Sequence, residues 1–406
     1  MRRRIVKGFS LVELMIALAL GSIVISGVVQ LFVANSDTHN LLVGQSRMQE
    51  SARFALEFIG REVRQSGYRG CFSRGDALHT VINPPTAIPY EFDIRFGIQG
   101  FEATNTTGTW SPALTVLPNT GTAASVYETT YAPFYGRGNG IDITGVANGT
   151  DAVTFRHMSK IDARLGGFND PGTGVLVMPR SAMPTSSEEV VIGVDPGWSE
   201  FDKDHLVMIH DCEKATIFRV TSDNGWARNA DGSPGPAPGS PGDHTADLTV
   251  GHDTVNIDAR RNNEINLADI NTFGLDASVS AIESHTFYIA PSVGINNDGK
   301  NQLSLWRKST LAAPIELVEG VENLQFLYGE DTDSDDIPNK YQRADEVTDW
   351  AAVVTIRVTV IVNSIDNVGS TSVPILSCGD RCIDGEVYDG LIRRAFTQTM
   401  HIRNRG

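Results

Sequence analysis

The sequence predicts an α+β fold in which one long N-terminal helix packs on an antiparallel β body with large loop insertions. An uncharged apolar run from Leu14 to Ala34 leads directly into an amphipathic stretch. Further along the chain, short runs rich in β-branched residues alternate with segments rich in Gly and Pro. With 406 residues, of which 41% are hydrophobic, the chain is long enough to form a large core.

The apolar run and the amphipathic stretch form one predicted helix over about residues 9–66, which Gly67 ends. Its first part, 14–34, contains no charged residue, and a helix of that length spans a hydrocarbon core about 30 Å thick. In the second part, apolar residues recur at spacings of three and four, and Phe54 and Phe58 widen the stripe. The stripe is Met48, Ala52, Ala55, Ile59 and Val63, and the expected polar side is Arg53, Glu57, Arg61, Glu62 and Arg64.

The rest of the chain is predicted to form short strands and turns. The clearest strand is VVTIRVTVIV at 353–362, because apolar and polar residues alternate along it. Residues 229–243 form a predicted surface loop rich in Pro and Gly, and NNDGKN at 296–301 is a predicted hairpin turn. The other predicted strands are AVTFRH, TGVLVM, EEVVIGV, HLVMIH, TIFRVT, HTFYIA, QLSLWRK, LQFLYG and FTQTMHI.

Charge is distributed unevenly, and this predicts the topology. The formal net charge is −16, yet the first eight residues carry only basic charges, at Arg2, Arg3, Arg4 and Lys7. A basic flank before an apolar helix keeps the N-terminus in the cytoplasm and places the body outside it. No Ala-x-Ala-like cleavage site follows Ala34, so the apolar helix is expected to be retained. An acidic body repels phosphate backbones, and no nucleic acid partner is expected.

An exported body predicts that the four cysteines form disulfides. Four cysteines allow three pairings. Cys378 and Cys382 enclose only three residues and suit a small local loop, which leaves Cys71 to pair with Cys212. A zinc half-site at Cys378 and Cys382 is the competing interpretation, although no matching Cys/His pair is evident.

An acidic segment that begins at Asp331 has the spacing of a calcium-binding loop, with oxygen ligands at alternate positions. Two departures weaken the pattern. Asp336 stands at position six, where Gly is usual, and Gln342 stands at position twelve, which Asp345 or Glu346 would have to replace. The alternative is a solvated acidic turn between two strands. The proposed ligands are Asp331, Asp333, Asp335, the carbonyl of Ile337, and Asn339.

No catalytic constellation is present in the sequence. Neither GxSxG nor HExxH occurs, and the histidines are scattered along the chain. His210 stands two residues from Cys212, which fits a neighbour of a disulfide better than a nucleophilic pair. The sequence therefore predicts a structural protein and not an enzyme.

The stretch GFSLVE, followed by the apolar helix, resembles the N-terminal signature of type IV pilins and type II secretion pseudopilins. The resemblance implies that a prepilin peptidase cuts between Gly8 and Phe9 and that the new N-terminus is methylated. Glu13 would then be the fifth mature residue. A carboxylate in lipid needs a partner, and in this family the Glu pairs with the N-terminal amine of a neighbouring subunit. An ordinary signal anchor, with Glu13 reaching towards the interface, is the alternative.

Three further stretches resemble minor pilins of the PilW type. They are ARFALEFIGREVRQSGYRGC at 52–71, HDCEKATIFRV at 210–220, and the block at 320–362 that contains the acidic segment. This resemblance implies a type IV pilin-like fold with a cleaved leader, 1–8, a long helix, 9–67, whose transmembrane part is 14–34, and a periplasmic β-rich body, 68–406. It also implies a subunit that primes pilus assembly and lies near the fibre tip.

The implied location is the inner membrane, crossed once with the C-terminal domain in the periplasm, and then the pilus (fimbrium). The implied partners are other minor and major pilins, the prepilin peptidase, the assembly platform of the inner membrane and a tip adhesin. Two alternatives remain. One is a GspJ-like pseudopilin of a type II secretion system, although such proteins are usually shorter. The other is an anchored periplasmic adhesive or binding protein that keeps its leader.

Overall fold

The computed structural model describes most of the helix and the paired strands of the body. Four sequence predictions lie outside the described residues: the Gly8–Phe9 cleavage site, the strand TGVLVM, the loop at 229–243 and the Cys378–Cys382 pair. The described residues are 10–72, 78–80, 92–103, 110–111, 115–116, 140–141, 146–147, 149–164, 190–193, 206–219, 247–250, 277–309, 313–368, 373–374, 386–387 and 390–404.

Helix α1 spans Leu11–Gln65, within two residues of the expected bounds at both ends. The five residues of the predicted stripe are all buried in one hydrophobic core. Phe58 packs against this core, but the expectation that Phe54 does so is wrong, because Phe54 is 45% exposed. Each residue turns the helix by about 100°, so Phe54 lies about 200° around the axis from Ala52.

Short strands make up the body. In chain order they are β1 (Leu78–Thr80), β2 (Ile98–Ala103), β3 (Trp110–Ser111), β4 (Thr115–Val116), β5 (Gly140–Ile141), β6 (Ala152–Arg164), β7 (Val190–Gly193), β8 (Leu206–His210), β9 (Ala215–Arg219) and β10 (Asp247–Val250). They continue as β11 (Ser278–Pro291), β12 (Leu303–Ser309), β13 (Ile315–Glu319), β14 (Val321–Glu330), β15 (Lys340–Gln342), β16 (Val353–Asn363), β17 (Val373–Pro374), β18 (Glu386–Val387) and β19 (Arg393–His401).

Among the described residues, these strands form two main sheets. In the large sheet the order is β1-β9-β8-β11-β6-β2-β3, with β12 and β13 added beyond β11 and with β7 joining β6 to β10. The small sheet has the order β15-β14-β16-β19. Its pairs are antiparallel, as are those of the large sheet except β1 with β9. One helix on a mainly antiparallel body confirms the predicted α+β class.

One core holds the helix and both sheets together. The buried stripe of α1 contacts a cluster that includes Phe155 and Phe287 of the large sheet and Phe326 and Val358 of the small sheet. Alternation along β16 is mostly as expected: its predicted apolar face is buried and Arg357 and Thr359 are only partly covered, but Thr355, expected on the same side as these two, is buried. Burial of this apolar area is the main force that attaches the helix to the body.

The residue after the end of α1 has a conformation that only glycine adopts freely. Gly67 has φ +74° and donates its N–H to the Arg156 carbonyl at 2.9 Å. An added Cβ would collide with the Asn404 carbonyl. Gly299, in the predicted turn between β11 and β12, has nearly the same φ, +72°, but nothing lies within 4 Å of an added Cβ. A comparison of substitutions at the two glycines therefore separates the cost of backbone strain from the cost of a steric collision.

We expect Gly67→Ala to destabilise the protein by at least about 2 kcal/mol more than Gly299→Ala, which should cost about 1 kcal/mol from backbone strain alone. The physical reason is that only the first substitution must also displace Asn404, which follows β19. Urea unfolding of the two purified variants measures the difference. Equal losses would show that the contact of Gly67 with the chain end is not maintained in solution.

Candidate functional site: the exposed N-terminal helix and its attachment to the body

The first half of α1 projects from the body and is apolar on all sides. Its most hydrophobic 18-residue window has a mean hydropathy of 2.3, and none of that window is buried. Leu11 is 75% exposed and Phe32 is 74% exposed. By length and composition the helix is able to cross a membrane. A helix that is apolar all round needs a lipid or protein environment to cover it.

Glu13 takes part in a capping box at the start of this helix. The Ser10 N–H donates to Glu13 Oε2 at 3.1 Å, and the Glu13 N–H donates to Ser10 Oγ at 3.1 Å. The negative charge also lies where the helix dipole favours it. The sequence analysis missed this cap, although the S-x-x-E pattern of Ser10–Glu13 predicts a capping box. The carboxylate therefore has an intrachain partner.

The body begins to cover α1 at Gly44. An added Cβ there would lie 3.0 Å from Val368 Cγ1 and 3.1 Å from Ser364 Cβ, so a larger residue would push the body away. Arg47 and Asp366 form an ion pair of 2.6 Å next to this point, but both side chains are at least a third exposed. Exposed pairs of this kind contribute little. The attachment therefore depends on the buried stripe and on what lies beyond it.

A buried acid with two imidazoles lies near the end of the attachment. His285 Nδ1 is 2.7 Å from Glu62 Oε2, and His157 Nε2 is 3.5 Å from the same oxygen. The side chains of Glu62 and His157 are only 4% exposed. Placing Glu62 on the polar side of the helix was therefore wrong. The local sequence pattern gives no sign that Glu62 pairs with two distant histidines. The pairing arises only because α1 packs against β6 and β11.

This cluster perturbs both charged groups. Burial alone would raise the pKa of Glu62, but the adjacent imidazoles of His157 and His285 outweigh it and lower that pKa from 4.5 to about 2. Burial would lower the pKa of His157, but Glu62, the Met158 carbonyl and Glu283 outweigh it and raise that pKa above its ordinary value. Each shift favours the charged form of its group, so attraction between Glu62 and His157 contributes to the helix–sheet contact.

We expect the stability of the protein in EDTA to fall at both ends of the pH range. The Glu62 contribution is fully present above pH 4.5 and is lost as the pH falls towards 2. The contribution of His157 is present below its ordinary pKa, about 6.5, and is lost as the pH rises through its raised value. Urea midpoints from pH 3 to 8 test this. Over this range Glu62→Gln should remove roughly 2 kcal/mol of the acid dependence, whereas Glu57→Gln, an exposed control, should leave the profile unchanged.

A disulfide joins the end of the helix segment to the middle of the chain. Cys71 and Cys212 are bonded, with Cα atoms 4.9 Å apart and a sequence separation of 141. Cys71 lies just beyond α1, and Cys212 lies in the turn between β8 and β9. This is one of the three pairings that the sequence allowed. The bond therefore fixes the end of the helix to the large sheet.

The acidic loop brings together three of the five expected calcium ligands. Carboxylate oxygens of Asp331, Asp333 and Asp335 lie within 4.8 Å of one another. The Asp331 carboxylate accepts backbone N–H bonds from the four positions that follow Thr332. Asp336 has φ +67°, the conformation expected of the usual Gly at position six. Asn339 Oδ1 instead accepts from the N–H and hydroxyl of Thr332.

The fold and the site define a class of protein. The first part of α1 is apolar and capped and projects from the β body, and the second part packs against that body. This is the architecture of a pilin-like protein. The N-terminus matches the family described as prokaryotic N-terminal methylation motif over residues 3–29. Residues 286–404, from β11 to β19, match the family described as Type IV Pilus-assembly protein W. These matches confirm the resemblance to prepilin-type N-termini and to PilW-type pilus-assembly proteins over the matched residues.

Comparison with curated proteins and with solved structures finds no match. The two matched families describe structural components of pili and not enzymes. Pilins act by assembling with other pilus components, so the residues that matter most are those that contact other subunits.

Proposed function

We propose that this protein is a minor pilin that primes assembly of a type IV pilus and lies near the fibre tip with other minor pilins. The observation that supports it most strongly is the division of α1. The apolar run at 14–34 is largely uncovered, while the stripe beyond Gly44 is buried in the body. The same uncovered surface suits lipid before assembly and the helices of other pilins afterwards, because both are apolar environments.

Net charge supports a minor role over a repeating one. The formal charge of the chain is −16. A homopolymer of such subunits would bring like charges together at every step of the fibre, which opposes close packing. A few copies among subunits of different charge avoid this repulsion. The proposed partners are therefore other minor pilins and the major pilin, with a tip adhesin as a further partner of the body.

The proposed route follows from the N-terminus. The basic leader holds the N-terminus in the cytoplasm, so that residues 14–34 cross the inner membrane and the body enters the periplasm. The prepilin peptidase cuts between Gly8 and Phe9, and the assembly platform then moves the processed subunit into the pilus. Glu13 next pairs with the N-terminal amine of a neighbour.

Mass spectrometry and pilus counts test the proposal together. We expect the protein recovered from sheared pili to begin at a methylated Phe9, and we expect a deletion strain to lose most of its surface pili. Wild-type protein supplied in trans should restore both. Intact leaders in the recovered protein would favour an anchored adhesive or binding protein. Normal pili with lost protein export would favour a secretion pseudopilin.

We further propose that the acidic loop between β14 and β15 binds calcium through Asp331, Asp333, Asp335, the Ile337 carbonyl and Asn339, for which Asn339 must turn away from Thr332. The convergence of three carboxylates supports this. We expect millimolar calcium to raise the thermal midpoint of the wild-type protein over that in EDTA. The double variant Asp333→Asn and Asp335→Asn should lose this increase. An unchanged wild-type midpoint would remove the loop from the candidate sites.

A further inference from the structure

The histidines of the buried cluster are neighbours in the large sheet. In the pairing of β6 with β11, His157 lies opposite Glu283, and His285 lies opposite Phe155. His157 and His285 are therefore diagonal neighbours on one face of the sheet. Helix α1 crosses this face, and its Glu62 side chain contacts both rings. Ligand atoms of Glu62, His157 and His285 lie within 4.8 Å of one another.

His157 directs an unsatisfied nitrogen into this cluster. Its Nδ1 lies 3.0 Å from the Met158 carbonyl, which can only accept, so Nδ1 carries the proton. In the neutral ring, Nε2 then has a bare lone pair. That atom is buried and has no hydrogen-bond partner among the described residues. It faces the Glu62 carboxylate, another acceptor, at 3.5 Å. Two acceptors that face each other repel unless a proton or a metal ion lies between them.

We propose that Glu62, His157 and His285 bind one divalent transition-metal ion of the zinc class, which fixes the end of α1 to the large sheet. Two imidazoles and a carboxylate are a donor set that suits zinc and not calcium or magnesium. The Met158 carbonyl orients the His157 ring, as backbone carbonyls commonly do for metal-bound histidines. Glu283 Oε2, which lies 4.0 Å from His157 Nδ1, adds a second negative charge beside the site.

The distances fit a metal after one small adjustment. Zinc lies about 2.0–2.2 Å from nitrogen and oxygen ligands, so two tetrahedral ligands are roughly 3.3 Å apart. The 3.5 Å between His157 Nε2 and Glu62 Oε2 is already close to this value. The 2.7 Å between His285 Nδ1 and the same oxygen is a hydrogen bond. It must lengthen by about 0.6 Å when the metal replaces the proton on Nδ1.

A proton competes with the metal for this position. If His157 is protonated, Nε2–H must leave before zinc binds, so one proton is released to solvent. His285 exchanges its Nδ1 proton for one on Nε2, and its 15% exposure leaves a path to water. Zinc affinity should therefore decrease as the pH falls.

The test uses the full chain in detergent, stripped with EDTA and then titrated with zinc. We expect one zinc ion per chain and a higher thermal midpoint. Glu62→Gln and His285→Gln should each weaken zinc affinity by at least about 100-fold. His401→Gln, an exposed histidine on β19, and the double variant Asp333→Asn and Asp335→Asn are the controls, and both should bind zinc within twofold of the wild type.

A wild-type chain that binds no zinc at micromolar concentration would overturn the proposal and leave a proton as the occupant. Unchanged affinity in His285→Gln would also overturn it. If the cluster variants fail to fold, X-ray absorption of the zinc-loaded wild-type protein decides the question. Two imidazole nitrogens and a carboxylate oxygen at about 2.0–2.2 Å support the site. A sulfur-containing or all-oxygen shell contradicts it.

Discussion

Glu13→Gln is expected to reduce incorporation of this protein into pili by at least tenfold, while the amount in the inner membrane stays unchanged. Glutamine is nearly the same size, and its side-chain oxygen can still accept from the Ser10 N–H. What it lacks is the charge that would pair with the amine of a neighbouring subunit. Leaving that amine unpaired in an apolar bundle costs about 3–5 kcal/mol. Quantitative immunoblots of sheared pili against whole membranes measure the effect.

Ser10→Ala is the matched control for this prediction. It removes the hydroxyl that accepts from the Glu13 N–H at 3.1 Å but keeps the charge. Loss of an N-cap costs about 1 kcal/mol of helix stability, which the long helix tolerates. We therefore expect near-normal incorporation. The reverse result, with Ser10→Ala defective and Glu13→Gln normal, would show that the carboxylate acts as a helix cap and not as a partner for a neighbour.

Removal of the Cys71–Cys212 bond is expected to produce the largest loss of stability. The bond closes a loop of 141 residues, and restricting so long a segment of the unfolded chain contributes about 2–5 kcal/mol. We expect the double variant Cys71→Ala and Cys212→Ala to lose this amount in urea unfolding. Release of the helix end from the large sheet should also make the segment beyond α1 more sensitive to protease.

The two single variants provide the control. If the bond forms in solution, either substitution alone removes it, so each should cost nearly as much as both together. Treating the wild-type protein with a reductant should lower its stability by a similar amount. Small and additive losses, with no effect of the reductant, would contradict the bond.

Much of α1 was predictable because its signals are local. Apolar residues at spacings of three and four identified the stripe from Met48 to Val63, and all five members are buried. The left-handed conformation at Gly67 matched the expected end. Alternation along 353–362 likewise predicted the covered face of β16. These patterns depend on the periods of the helix and the strand, which hold wherever the element packs.

The buried cluster could not be predicted in this way. Glu62 lies between charged neighbours on the sequence, and a carboxylate there is usually solvated. Its partners are distant in the chain, and they meet it only because β6 pairs with β11 in a register that puts both rings on one face. The cysteine pairing was favoured by the sequence but not fixed by it, since four cysteines allow three arrangements and Cys71–Cys212 followed only if Cys378 pairs with Cys382. Only the position of the turn between β8 and β9 selects Cys212 as the partner of Cys71.

The sequence by itself determined the long helix, its uncovered apolar half, the prepilin-type N-terminus and the alternating strands, because each depends on residues within a few positions of one another. The tertiary structure alone decided which charged group is buried and which cysteines meet. These outcomes depend on contacts between elements far apart in the chain, whose free energies arise only when the sheets and the helix pack together.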